Sequence, residues 1–225
     1  MKTRSFSGYN WQTYESENKR IKPGDNYFSS QNVWVERNGH LHLQISKEGR
    51  CAGLTLPKPL GYGIYEFLVI GRFDLFAPSV VAGLFLYETD SKEINVEFSR
   101  WGHPGNPSLH YSLHALNPYR FIPNSSLLSL PKSSTSLPVQ LFGDYTTHRI
   151  VWKENYLAFR SLHGHFLGDV VPVEQWLSSW EYPYQTFPPE NALVNINLWL
   201  QDGKPLQKAT ELVIPQFVFT PIEEL

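Results

Sequence analysis

Lys92-Glu93-Ile94-Asn95-Val96-Glu97-Phe98 alternates polar and apolar residues without a break. Successive side chains of a β-strand point to opposite faces. Ile94, Val96 and Phe98 therefore share one face, which belongs in a core. Glu93, Asn95 and Glu97 share the other and present carboxylate, amide and carboxylate in a row. At a rise of about 3.3 Å per residue the Cα atoms of Glu93 and Glu97 are about 13 Å apart. Two glutamates leaning toward each other over a concave sheet close much of that gap. A retaining glycosidase holds its carboxyl groups about 5–5.5 Å apart, so the spacing permits such chemistry. The same alternation is what any half-exposed strand shows.

Strand signals continue on both sides. Val80 to Tyr87 and Gly63 to Ile70 lie upstream. Before them, Asn32 to Arg37 and His40 to Ile45 flank Asn38-Gly39, a hairpin signal because both central residues of a tight two-residue turn need φ > 0. Downstream come His148 to Trp152, Tyr156 to Ser161, Ala192 to Leu200 and Leu212 to Thr220. The best helix candidate, Val173 to Trp180, is bracketed by Pro172 and Pro183 and is at most one turn. Strands without interleaved helices predict an all-β fold, a two-sheet antiparallel β-sandwich, rather than a βαβ fold. Gly102 to Asp144 is irregular. It carries Pro104, Pro107, Pro118, Pro123, Pro131 and Pro138 and a Ser-rich patch at Asn124 to Ser136, with His110 to His114 as the one candidate strand inside. A connection of that length is functional or disordered. With no internal repeat and no linker, residues 1–225 are expected to form one domain.

Composition narrows the function. The 225 residues carry a formal net charge of −2, with no clustered basic face for nucleic acid. Cys51 is the only cysteine, which excludes an intrachain disulfide and a cysteine-type zinc site. His40 and His42 alternate on one strand, but no third metal ligand is evident. Phosphate-loop, nucleophile-elbow and zinc-helix motifs are missing, so neither cofactor nor metal is expected. No apolar run reaches the ~20 residues of a membrane span. The first twenty residues lack a signal-peptide apolar run, which implies a cytoplasmic protein or a secreted one whose signal has been removed. Asn124-Ser125-Ser126 is a glycosylation sequon that matters only after secretion. Aromatics make up 15% of the chain, with seven Trp and twelve Tyr. Most of these fill a core, while some are candidates to stack on the apolar face of a pyranose.

Around the carboxylate strand the sequence resembles glycoside hydrolase family 16, the laminarinase, lichenase and agarase group with a concanavalin A-like jelly-roll fold. Glu93 to Glu97 sits where that family carries Glu-x-Asp-x-Glu. Tyr62-Gly63-Ile64-Tyr65-Glu66-Phe67 is similar to its preceding strand, and Val81 to Tyr87 to the strand leading into the motif. His148-Arg149-Ile150-Val151-Trp152, Tyr156 to Gly164, Asn197-Leu198-Trp199 and Phe217-Val218-Phe219-Thr220-Pro221 resemble later strands in order. The resemblance runs from about Trp11 to Pro221. It implies a retaining hydrolase or transglycosylase for a β-linked polysaccharide or oligosaccharide, such as a β-glucan or galactan. Glu93 takes the nucleophile position and Glu97 the acid/base position. Asn95 departs from the family's middle Asp. An amide keeps the size and a hydrogen-bond donor but cannot exchange a proton. The rival reading is therefore a sugar-binding protein of the same fold with little or no turnover.

Position supplies further candidates for sugar contact. Trp101 lies four residues beyond Glu97 and faces its side if the strand continues. Phe85 and Tyr87 alternate with Leu84 and Leu86, and Trp199 lies in the Asn-Leu-Trp strand. Arg72 follows Gly71 at a strand end, and His103 lies close to the motif. For each the plain alternative is packing or a solvated surface. A monomer is expected, with no nucleic-acid or membrane partner.

Overall fold

A computed structural model describes residues 1–115, 133–168 and 170–222. It is a jelly-roll sandwich of two antiparallel sheets. The first sheet has eight strands, in the order β1 (Thr3–Phe6), β2 (Tyr9–Thr13), β5 (Ala52–Thr55), β14 (Leu193–Leu200), β7 (Val80–Thr89), β8 (Lys92–Ser99), β9 (Leu109–Ala115) and β10 (Ser134–Leu137). The second has seven, in the order β13 (Trp176–Tyr182), β12 (Tyr156–His163), β11 (Tyr145–Lys153), β6 (Gly63–Ile70), β15 (Thr210–Pro221), β4 (Leu41–Ile45) and β3 (Val33–Val35). No helix among the described residues is long and apolar enough to cross a membrane.

The core lies between the sheets and follows the period of two. Ile94, Val96 and Phe98 of β8, Leu84 and Leu86 of β7, and Val194, Ile196 and Leu198 of β14 are all inaccessible to solvent. Tyr65, Phe67 and Val69 of β6 face them with Ile150, Trp152, Phe159 and Phe217. One polar cluster sits within this apolar layer. His148 is fully buried, with Nδ1 2.7 Å from Ser161 Oγ and Nε2 2.9 Å from Thr146 Oγ1, and the Tyr111 hydroxyl donates to Ser161 Oγ at 2.6 Å. Burial pushes the imidazole down to about 3, so it is neutral at ordinary pH.

Three local expectations are corrected. The Asn38-Gly39 hairpin is not closed by a two-residue turn. Gly39 N–H donates to Glu36 O and Glu36 N–H to His40 O, and only Gly39 has φ > 0, at 86°. This is a three-residue loop, a turn followed by one left-handed residue. Residues 173–180 are mostly strand: a single 3₁₀ turn at Val173–Gln175 leads into β13. The segment from Gly102 to Asp144 contains two paired strands, β9 and β10, with Leu109 opposite Leu137 and Ser112 opposite Ser134. Residues 116–132, with the Asn124 sequon, lie outside the described residues. His42 of the expected histidine pair lies between Glu211, at 3.0 Å, and Glu36, at 3.6 Å, and stacks on Trp34.

Candidate active site

The outer face of the eight-stranded sheet carries the site. Register fixes its layout. Glu93 lies opposite Tyr87 on β7 and His114 on β9, Asn95 opposite Phe85 and Ser112, and Glu97 opposite Gly83 and His110. On the far side of β7, Asn195 pairs with Phe85 and Asn197 with Gly83. A cleft of about 550 Å³ runs over these positions. Its walls include Tyr14, Lys22, Gly24, Asp90, Asn195, Asn197 and Trp199 as well as Phe85, Tyr87, Glu93, Asn95 and Glu97.

Gly83 explains why the floor is open beside Glu97. A Cβ there would stand 2.7 Å from Asn197 Oδ1, closer than real side chains come. The missing side chain exposes a lane between Glu97 and Asn197. Asn197 Oδ1 is buried and has no hydrogen-bond partner among the described residues. It is an acceptor aimed at the lane with nothing donating to it, a condition buried amides seldom tolerate unless a ligand completes it. Tyr14 lies across Gly53, where any Cβ would collide with its ring. Its hydroxyl donates to Asn195 Oδ1 at 2.7 Å, and Asn195 Nδ2 donates to Leu193 O at 2.8 Å, so that amide is held at both ends.

The electrostatics are those of two carboxyls in one partly dry site. Burial pushes Glu97 up to about 7. Burial first, then repulsion from Glu97 and Asp90, pushes Glu93 up to about 7, while a hydrogen bond from Asn95 works the other way. No cation among the described residues offsets either group. Burial penalises the ionised form of both groups, and repulsion adds to it at Glu93, so both carboxyls stay partly protonated near neutral pH. The Asn95 amide favours the ionised form of Glu93, and nothing comparable favours it at Glu97. One carboxylate and one carboxylic acid on a single strand face can act as nucleophile and acid. Asn95 Nδ2 also donates to Ser112 Oγ at 3.1 Å, which fixes the amide, and Ser112 Oγ lies 3.4 Å from His114 Nε2.

The backbone architecture is shared with enzymes of known structure. A β-glucanase of Bacillus licheniformis superposes with a TM-score of 0.62 at 15% identity, over 97% of this chain and 96% of that one. The fold is that of the β-glucanases. A glycoside hydrolase family 16 endo-glucanase of Bacteroides ovatus, solved with a bound oligosaccharide ligand, matches with a TM-score of 0.65 at 13% identity over 93% and 94% of the two chains. A pseudo β-1,3-glucanase of Mycobacterium tuberculosis matches with a TM-score of 0.60 at 18% identity over 93% and 89%. No protein-family model matches the sequence, and no curated protein matches it.

Within this β-glucanase fold, Glu93, Asn95, Glu97, Phe85, Tyr87 and Trp199 come together in the cleft. Trp101, expected on the same side as Glu97, is not among the residues that line the cleft. β8 ends at Ser99, and Trp101 takes a left-handed backbone with φ of 49°, its N–H donating to Ser99 Oγ at 3.0 Å. A left-handed conformation costs a bulky residue about 1–2 kcal/mol. Here it sets the ring between Trp199, at 6.3 Å, and His110, at 5.8 Å. Trp199 itself is only 8% exposed, because Gly24 lies against its ring and leaves no room for a Cβ.

Two further expected contacts fail. Arg72 does not line the cleft. Its guanidinium makes a two-pronged pair with Asp74, both bonds 2.8 Å, in the connection between β6 and β7. Asp74 is buried and also accepts from Leu141 N–H at 3.1 Å, so the arginine neutralises a structural carboxylate. His103 is exposed in the turn after β8, its N–H bonded to Arg100 O, and it too is absent from the cleft wall. Asn195 and Asn197 were legible, since they alternate with Val194, Ile196 and Leu198 as the glutamates alternate with Ile94 and Val96. Tyr14 and Lys22 carry no local signal, because long-range packing brings them in, while Asp90 enters from the β7–β8 turn three residues before Glu93.

Proposed function

We propose that the chain is a retaining glycoside hydrolase or transglycosylase of the glycoside hydrolase family 16 type, acting as a monomer within β-linked polysaccharide or oligosaccharide chains. β-Glucans are the first candidates and galactans the second. The observation that carries this is the pair Glu93 and Glu97 on one cleft floor, both raised to about 7 by burial first. In this scheme ionised Glu93 attacks the anomeric carbon. Protonated Glu97 donates to the departing oxygen, then takes a proton from the water or acceptor hydroxyl that releases the glycosyl-enzyme. Asn197 Oδ1 accepts from a sugar hydroxyl, and Phe85 and Tyr87 supply apolar contact for pyranose faces.

Asn95 supports a second reading, a binding protein of weak or no turnover, and the pseudo β-1,3-glucanase with the same fold keeps company with it. Incubation with a panel of β-glucans and galactans, counting new reducing ends, separates the two. The expected result is cleavage of at least one β-glucan. Oligosaccharide binding without product from any polymer would establish the second reading.

Asn95→Asp tests the middle position. A carboxyl there accepts from Ser112 and can exchange a proton with Glu93. One unit of added separation between the two glutamates is worth about tenfold in the population of the reactive form. The variant is expected to raise kcat about tenfold and to broaden the pH–rate profile. A fall in kcat would show that the amide belongs to the mechanism.

A further inference from the structure

The loop after β2 reaches across the cleft. Ile21 and Asn26 exchange backbone hydrogen bonds at 2.8 and 2.9 Å, closing the segment on itself. The buried Asn26 amide donates to Pro23 O at 2.9 Å and to Leu200 O at 2.7 Å, which ties the loop to the end of β14. Gly24 rests on Trp199. From this anchorage Lys22 extends to the β7–β8 turn beside Glu93, where its Nζ stands 3.3 Å from Asp90 Oδ2. The Tyr87 hydroxyl holds the other Asp90 oxygen at 2.9 Å. Lys22, Tyr87, Asp90 and Glu93 all line the same cleft. Two walls that come from distant parts of the chain therefore touch at the Glu93 end.

We propose that Lys22 and Asp90 form a clasp over that end of the cleft, which a short oligosaccharide can fit beneath and which must part before an internal stretch of polymer lies through the site. The inference rests on the cleft being a sugar site. The cleft's ~550 Å³ is within the range of small-ligand sites, so a short ligand need not pass the pair. A polymer has to leave at both ends. The loop is stapled internally and anchored at Leu200, so the moving parts are the two side chains. They are 87% and 76% exposed, and an ion pair so exposed is weak and sensitive to salt. The clasp therefore opens readily and biases substrate length without forbidding polymer.

The test is the ratio of affinity for a soluble β-glucan polymer to affinity for a tetrasaccharide of the same linkage. Lys22→Ala is expected to raise that ratio about two- to fivefold, the range an exposed ion pair carries. Salt at about 0.5 M, which screens the pair, should raise it similarly in the parent and add nothing in the variant. The charge-swapped double variant Lys22→Asp with Asp90→Lys should return the ratio to the parent value, which separates the clasp from loss of a lysine–sugar contact. An unchanged or lower ratio in Lys22→Ala, or a swap that restores nothing, overturns the clasp. Binding needs no turnover. A protein that cuts no glucan but shows the shift keeps the clasp and loses the hydrolase reading, and one that cuts with an unshifted ratio does the reverse.

Discussion

Glu97→Gln is expected to lower kcat on a β-glucan by about 10²–10⁴-fold, the usual contribution of a positioned general acid. Glutamine has the size and hydrogen-bonding reach of the protonated acid but no proton to give. Affinity for oligosaccharide should change little, because Asn197, Tyr87 and the aromatic walls are untouched. Glu93→Gln should be at least as damaging, and the double variant should be little worse than either single one, since the two carboxyls act as a unit. Leaving-group dependence distinguishes their roles. An aryl glycoside with an acidic phenol departs without protonation, so Glu97→Gln should recover its first step on that substrate while Glu93→Gln should not. Steady-state kcat on polymer, the burst of phenol and kcat/KM on the aryl glycoside, and oligosaccharide Kd measured alongside, check all of this. Recovery in Glu93→Gln instead would exchange the two assignments.

The same Glu97→Gln protein should be markedly more stable than its parent in alkali. The Glu97 carboxyl sits at about 7 in the folded chain against 4.5 when unperturbed. A group raised on folding contributes its stability below the unfolded value and loses it as pH climbs through the folded one. Above about pH 7 the parent must hold an ionised carboxylate in a partly dry cleft beside Glu93. At 1.36 kcal/mol per unit, that penalty is on the order of 3 kcal/mol. Glutamine removes it. For a chain of this size Tm should rise roughly 6–10 °C at pH 8.5 and stay nearly level at pH 4.5. His148 supplies the internal control with the opposite sign. Its folded value is about 3 against 6.5 unperturbed, so its contribution is present above pH 6.5 and fades as pH falls toward 3. Parent and variant should therefore share the same curve below about pH 4.5, separate as pH rises from there to about 7, and hold the difference above it. Equal Tm values at pH 8.5 would show that Glu97 ionises without strain.

Much of this architecture was legible in the sequence because strands declare themselves by alternation. Gly63–Ile70 is the clearest case, its bounds in the structure being the expected ones. The site was legible where it lies on such strands: Glu93, Asn95 and Glu97 face one way because Ile94, Val96 and Phe98 must face the other. The misses share a cause. Short strands such as β1, β5 and β10 have four residues each, too few for a period to stand out. The Val173–Trp180 segment, set between prolines, is too short for helical and strand periods to be told apart. Arg72 was misplaced because nothing local reveals that Asp74, two residues on, is buried and needs a counter-charge. Trp101 was expected on the face of Glu97, but the strand stops at Ser99 and Trp101, with a left-handed backbone, does not line the cleft. Tyr14 and Lys22 lie far from the carboxylate strand in the chain, and only the packed sheet shows that they meet it.

The most direct measurement is proton NMR of the anomeric signals in the first minutes of β-glucan hydrolysis, before mutarotation mixes them. Displacement by Glu93 followed by water assisted by Glu97 gives two inversions, so the β-anomer should appear first and convert slowly to the equilibrium mixture. Initial release of the α-anomer, or no product from any β-glucan at high protein concentration, would contradict the assignment of this cleft as a retaining glycosidase site.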